Sequence, residues 1–224
     1  MLNPRLLACA DFVRPGAHVC DVGTDHAQLP VYLLQTHRAV RAIAADISEG
    51  PLQAAERTIV RHGMAEHITT ILSDGLLNVP DDGLTDIIIA GMGGETMIHI
   101  LESCPFLLAD KRLILQPMTK ARELRTWLYR NGFSIQEETC ARDDHFLYAV
   151  MCVVYTEERQ EIGAVMQCIG KMNLQQPDCY AYAVRQYEQL CTVRDGRQRA
   201  GQDAALFAEA AEELRQKLED KWSD

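Results

Sequence analysis

The 224-residue chain has no apolar run approaching the ~18 residues that a membrane-spanning helix needs, so no transmembrane segment is expected. Its opening residues lack a basic stretch followed by a long apolar one, which argues against a secretory leader. Basic residues are in the minority, with 22 Lys+Arg against 32 Asp+Glu and a net charge of −10. Binding of nucleic acid by overall charge is thereby excluded, and any such contact must come from a local patch. The eight cysteines form no C-x-x-C pair, and their wide spacings fit neither a zinc site nor a small disulfide scaffold. They read as small, reduced core residues of a cytoplasmic protein, and no metal is expected. Gly 14 and Pro 8 exclude collagen-like and low-complexity chains.

What is present is an ordinary globular composition, 47% hydrophobic and 24% charged. Residues 1–155 alternate between strand-like and helix-like stretches. Strands are predicted at Ala17–Val22, Val40–Asp46, Ile68–Leu72, Asp86–Ala90 and Arg112–Gln116, with closing strands at Ser134–Thr139 and Phe146–Val154. Helices are predicted at Leu29–Leu34, Pro51–His62, Thr96–Leu101 and Ala121–Asn131. Repeated β-α units imply an α/β fold with a parallel sheet covered by helices on both faces. After Tyr155 the pattern turns helical. Glu157–Gly170 carries Ile162, Val165 and Ile169 at helical spacing, while Tyr180–Arg194 and Ala204–Lys221 carry apolar residues spaced 4, 3 and 4. Asn173–Cys179 and Asp195–Gln202 read as connecting turns. The expected organisation is therefore one α/β domain over residues 1–155 and a helical appendage, a hairpin or coiled coil, over 156–224.

Ligands of open parallel sheets bind beyond the carboxyl ends of the strands, so the loop after each strand carries the functional reading. The first is Asp21-Val22-Gly23-Thr24-Asp25-His26. Gly23 permits close approach of backbone to a ligand. The G-x-G-x-x-G pattern of dinucleotide sites is missing, and Asp25 would repel a pyrophosphate. The second strand ends in Asp46, 25 residues after Asp21, where a carboxylate can take both ribose hydroxyls. Ser73-Asp74-Gly75 follows the third strand, with Asp74 able to accept an adenine amine. The fourth strand runs into Gly91-Met92-Gly93-Gly94, three glycines in four positions, as suits close approach to a flat ligand. Gln116-Pro117-Met118 ends the fifth, and Gln116 can pair with a base edge. Three acids after three successive strands form a nucleoside pocket without a phosphate grip, a description that fits S-adenosylmethionine, whose sulfonium prefers acidic or neutral surroundings.

Taken in order, DVGTDHAQLP, AADISEGP, SDGL, IIIAGMGGETMIHIL, LILQPM and ELRTWLYRNGFSI resemble the bacterial tRNA (adenine-N1)-methyltransferases that act on adenosine at position 22. The resemblance runs through roughly residues 5–155 and extends weakly to that family's carboxyl-terminal coiled-coil part. Met118 departs from it, standing where the family more often has Asn. The resemblance implies a Rossmann-like class I methyltransferase domain with a C-terminal helical appendage, S-adenosylmethionine as cofactor, and tRNA as partner. It implies cofactor contacts from Asp21, Gly23, Thr24, Asp46, Ile47, Asp74, Gly75 and Gly91. Adenine N1 attacks with an in-plane lone pair, so alignment is the main catalytic task. Asp25 is then a candidate to stabilise the cationic product, His26 to relay a proton or touch a phosphate, and Met92 to support the extruded base. Arg5, Gly93, Gln116, Pro117, Arg122 and Arg125 are candidate substrate contacts, with Lys120, Arg130 and an Arg194-Arg197-Arg199 cluster as further cations. A small-molecule or protein methyltransferase and a non-catalytic cofactor-binding module share the cofactor features, and a nucleotide-dependent dehydrogenase is disfavoured by the missing glycines. Monomer and weak dimer both stay open.

Overall fold

The computed structural model describes residues 2–106 and 108–220. One seven-stranded sheet forms the centre, in the order β3-β2-β1-β4-β5-β7-β6. Strands β1 (Ala17–Val22), β2 (Ala39–Asp46), β3 (Ile68–Leu72), β4 (Asp86–Gly93) and β5 (Arg112–Thr119) are mutually parallel. β6 (Phe133–Asp143) and β7 (Phe146–Tyr155) form a hairpin, and β7 runs antiparallel to β5. The strand order reverses between β1 and β4, which opens a crevice at their carboxyl ends.

Alternation along the central strands divides the interior in two. Ile87 and Ile89 of β4 and Leu113 and Leu115 of β5 point to one core, and Ile88 and Ile114 to the other. The first core is closed by α4 (Gly94–Glu102) and α5 (Ala121–Arg130), the second by α1 (Pro4–Phe12), α2 (Gln28–Gln35) and α3 (Glu49–Arg61). The carboxyl-terminal helices α6 (Ala164–Ile169), α7 (Pro177–Arg199) and α8 (Ala205–Asp220) join the first core through residues such as Val165, Tyr182 and Leu214. All eight cysteines are free, six of them buried. Among the described residues no helix is long and apolar enough to cross a membrane.

Four local expectations are corrected. α1 was not legible from periodicity; Asn3 starts it, its Oδ1 accepting the Leu6 N–H at 3.0 Å with Pro4 in the first turn. The glycine-rich stretch is not a loop, since β4 continues through Gly93 and β5 through Thr119. Of Glu157–Gly170 only the second half is helical, because Glu157 adopts φ +66 and its N–H bonds the Gly132 carbonyl at 3.0 Å. The 23-residue α7, which Pro177 opens, takes in Pro177–Cys179 of the first predicted turn and most of the second, through Arg199. The predicted end of the last helix, Lys221, lies outside the described residues.

Candidate active site

The loop leaving β1 is tied to its neighbour. The N–H groups of Gly23 and Thr24 both donate to the Ala45 carbonyl of β2, at 2.8 and 3.0 Å. Gly23 has φ +75, which favours glycine, while a Cβ there would meet only the movable tip of Met92. Asp25 and Ala27 also hold left-handed backbone, φ +51 and +53, which costs free energy in residues bearing a Cβ. This turn leaves Asp25 and His26 exposed, with side chains 73% and 53% accessible and His26 Nε2 3.5 Å from Asp25 Oδ1.

Asp21 lies beneath them and is buried. Thr24 Oγ1 donates to its Oδ2 at 2.8 Å. Burial pushes the Asp21 carboxyl up to about 6; the Thr24 hydrogen bond opposes that rise and the nearby Asp46 carboxylate adds to it. The folded chain thus holds this proton more tightly than the unfolded chain, whose Asp has the ordinary value of 3.8. Stability contributed by protonated Asp21 is fully present below the ordinary value and is lost as pH rises through about 6. The stability of Asp21→Asn relative to wild type is expected to increase from pH 4 to pH 6 and level off above; urea unfolding across that range reads it, and a flat difference refutes it.

Asp21, Gly23, Thr24, Asp25, His26, Gly91 and Arg5 line one cavity of about 310 Å³ at the carboxyl end of β1 and β4. Asn3, Leu6, Gln28, Leu29 and Ala90 complete its wall. None of these five was singled out from sequence, and the Asn3-Pro4 helix start was the one signal that could have drawn α1 into the site. Asp46 and Ile47 lie at the end of β2, along the same edge. Asp46 Oδ1 accepts the Ser48 N–H at 2.9 Å, at the start of α3, and Ile47 is exposed. After β3 the Ser73 N–H donates to the Asp46 carbonyl at 2.9 Å, leaving Asp74 exposed and Gly75 buried against Ile100. Met92 is half-buried against the first core, with its tip over Gly23. Gly93 has ordinary extended backbone where β4 gives way to α4.

Three substrate-contact expectations change. Gln116 is fully buried and committed: its Oε1 accepts from Arg5 Nη1 at 2.6 Å and the Gly91 N–H at 3.1 Å, and its Nε2 donates to the Pro117 carbonyl at 3.1 Å. It therefore shapes the Gly91 turn and does not read a base edge. Arg5 is anchored as well, with Nε 3.0 Å from Asp143 Oδ2 and its guanidinium 5.6 Å from the Tyr148 ring centroid. Arg125 is 0% exposed, which removes it from any solvent-borne partner. Its Nη2 lies 2.6 Å from Glu138 Oε1, and Nη1 donates to the carbonyls of Gln167 and Cys168, each at 2.9 Å. Arg122 donates to Gln167 Oε1 at 3.0 Å and, with Pro117, lines a separate cleft of about 410 Å³ between the end of β5 and the tail helices. Of the further cations, Arg130 pairs with Glu161 at 2.9 Å and Arg194 with Asp195 at 2.8 Å, while Lys120 Nζ lies 3.4 Å from Glu123.

Comparison with known proteins adds an independent line. A family model described as "Methyltransferase domain" matches residues 2–151. The tRNA (adenine(22)-N(1))-methyltransferase of Bacillus subtilis is 38% identical over 151 residues, 67% of this chain. The matched stretch spans 63% of that relative, somewhat under two thirds of its length. Among solved structures, Sp1610 of Streptococcus pneumoniae in complex with S-adenosyl-L-methionine is 32% identical, with 96% of this chain and 99% of that one covered and a TM-score of 0.82. The B. subtilis m1A22 tRNA methyltransferase TrmK is 28% identical, with 98% and 96% covered and a TM-score of 0.77.

Proposed function

Because the chain belongs to the methyltransferase-domain family, we propose that it transfers the methyl group of S-adenosylmethionine to N1 of adenosine 22 of tRNA. The names of the similar proteins support this reading. The observation that carries it is the carboxylate rim. Asp21 and Asp25 line a cavity of about 310 Å³ at the end of β1, and Asp46 ends the neighbouring strand β2. The only cation among the described residues that reaches this cavity, Arg5, is held by Asp143 and Gln116. A diphosphate has no free cation to meet here, whereas a nucleoside bearing a sulfonium meets acids.

The residues fit this cofactor. Gly23, at φ +75, carries the turn that lines the cavity. Asp46 keeps Oδ2 clear of the Ser48 bond, and on this reading the Asp46 carboxylate accepts both ribose hydroxyls. Asp74, exposed beyond β3, accepts from the adenine amine. Bound S-adenosylmethionine supplies an electrophilic methyl carbon, to which adenine N1 donates its lone pair while the carbon–sulfur electrons return to sulfur. No base is needed before that step, because the N1 lone pair is already free. The protein's part is alignment and exclusion of water. The Gly91 turn, clamped by Gln116 and Arg5, fixes one wall, and Met92 offers an apolar surface to a base turned out of its stack. Asp25, close to the positive charge that develops on the ring, stabilises it.

Asp25→Ala is expected to lower kcat about tenfold, on the order of 1.4 kcal/mol for an exposed carboxylate, with cofactor affinity kept. Loss of affinity in calorimetry would instead make Asp25 a cofactor ligand. The assignment itself is tested by incubating wild type with labelled S-adenosylmethionine and a bare tRNA transcript, then mapping primer-extension stops. A stop at position 22 with N1-methyladenosine in the digest is the expected result. Methyl transfer to protein or small molecules alone, or binding without turnover, overturns it. A cytoplasmic location belongs to the same reading.

A further inference from the structure

An acidic protein that handles a polyanion needs cations not already neutralised by its own carboxylates. Among the described residues, ten of the 22 arginines and lysines fail that requirement. Arg5, Arg14, Arg38, Lys111, Lys120, Arg125, Arg130, Arg142, Arg194 and Arg215 all lie within ion-pair distance of an Asp or Glu. Arg57 and Arg61 are different. They stand four residues apart on α3, hence on one face of that helix, and both are exposed. No carboxylate stands between them in sequence, and Glu56, which precedes Arg57, accepts from Thr70 Oγ1 at 3.0 Å.

The two arginines open into a groove of about 630 Å³ between α2 and α3. His26 and His62 line it too, together with Tyr32, and among the described residues no Asp or Glu does. The groove shares His26 and Gln28 with the rim cavity, so the two adjoin. A nucleotide turned out into that cavity leaves its own phosphates at the cavity mouth, and the neighbouring backbone must run away from there. We propose that the α2–α3 groove receives the sugar-phosphate backbone flanking the target nucleotide, with Arg57 and Arg61 as its phosphate-contacting cations. Tyr32 in the same groove is a flat surface on which an unstacked neighbouring base can rest. This rests on tRNA being the substrate, and it assigns a backbone path on the α/β domain itself.

The test uses the full chain, a bare tRNA transcript and the double variant Arg57→Ala/Arg61→Ala. The KM for tRNA is expected to rise about tenfold, and the slope of log affinity against log salt to shrink by about one to two. The S-adenosylmethionine affinity and the melting temperature stay at wild-type values, and kcat at saturating tRNA stays within about twofold. Arg57→Lys/Arg61→Lys restores most of the affinity, since phosphate contacts need charge more than fork geometry. Arg41→Ala/Arg159→Ala removes equal charge elsewhere; Arg41 lies near the start of β2, at the opposite edge of the sheet from the cavity. An unchanged KM and salt slope in the groove variant overturns the proposal, as does an equal effect from the control pair. Should wild type methylate no tRNA, the enzyme assignment fails instead, and filter binding of tRNA to the same variants at graded salt still decides the groove.

Discussion

Arg125→Leu is expected to destabilise the protein by about 3–5 kcal/mol, the usual result of removing one partner of a buried ion pair. In a chain of 224 residues that corresponds to a melting temperature lower by about 10 °C or more. The substitution strips Glu138 of its cation partner and leaves the Gln167 and Cys168 carbonyls without the Arg125 donor. Burial opposes charge on Arg125, but the Glu138 carboxylate outweighs it and keeps the guanidinium ionised. Glu138 Oε2 also accepts the Lys171 N–H at 3.0 Å, and Gly170 packs so tightly on this carboxylate that a Cβ there would collide with it. The pair therefore joins α5, β6 and the segment after α6 at one point. Arg125→Leu/Glu138→Leu should recover most of the loss, because no uncompensated charge remains. A single variant that loses under about 1 kcal/mol in urea unfolding would refute this account.

Asp46→Ala is expected to weaken S-adenosylmethionine binding by about 10- to 100-fold, the equivalent of about 1.5–3 kcal/mol for hydrogen bonds to a charged acceptor. A smaller effect on folding, about 1 kcal/mol, follows from losing the Ser48 N–H contact at the start of α3, where Ser48 itself makes no side-chain cap. Titration calorimetry separates the two effects. Asp46→Asn should fall in between, since it retains one acceptor oxygen. An affinity within twofold of wild type would remove Asp46 from the ribose site.

The strand positions and their loops were largely legible, because buried parallel strands are short apolar runs and DIIIA or RLILQ admits few other readings. Asp21, Gly23 and Asp25 were legible for a related reason: an acid–glycine turn at a strand's carboxyl end has no packing role to explain it. α1 was not, because its start is announced by a cap and a proline and not by a long periodic pattern. Arg57 and Arg61 were not singled out, since the 51–62 segment was legible only as a helix. Nothing in their spacing says that the opposing wall, from α2, carries no carboxylate.

The order of apolar and polar residues along the chain was enough to determine the α/β class, the strands that carry the loops, and the acids at their ends. Those properties depend on local periodicity and on one topological rule about where parallel sheets bind ligands. Which arginines are available for a partner was decided only by tertiary structure. Arg125 and Arg61 are both helical arginines, each between one apolar and one polar neighbour, yet one is sealed against Glu138 and the other faces a groove whose described lining holds no acid. The same holds for Gln116, whose amide is claimed by Arg5 from 111 residues away. A side chain's freedom is set by partners distant in sequence, and pairing of that kind leaves no trace in local pattern.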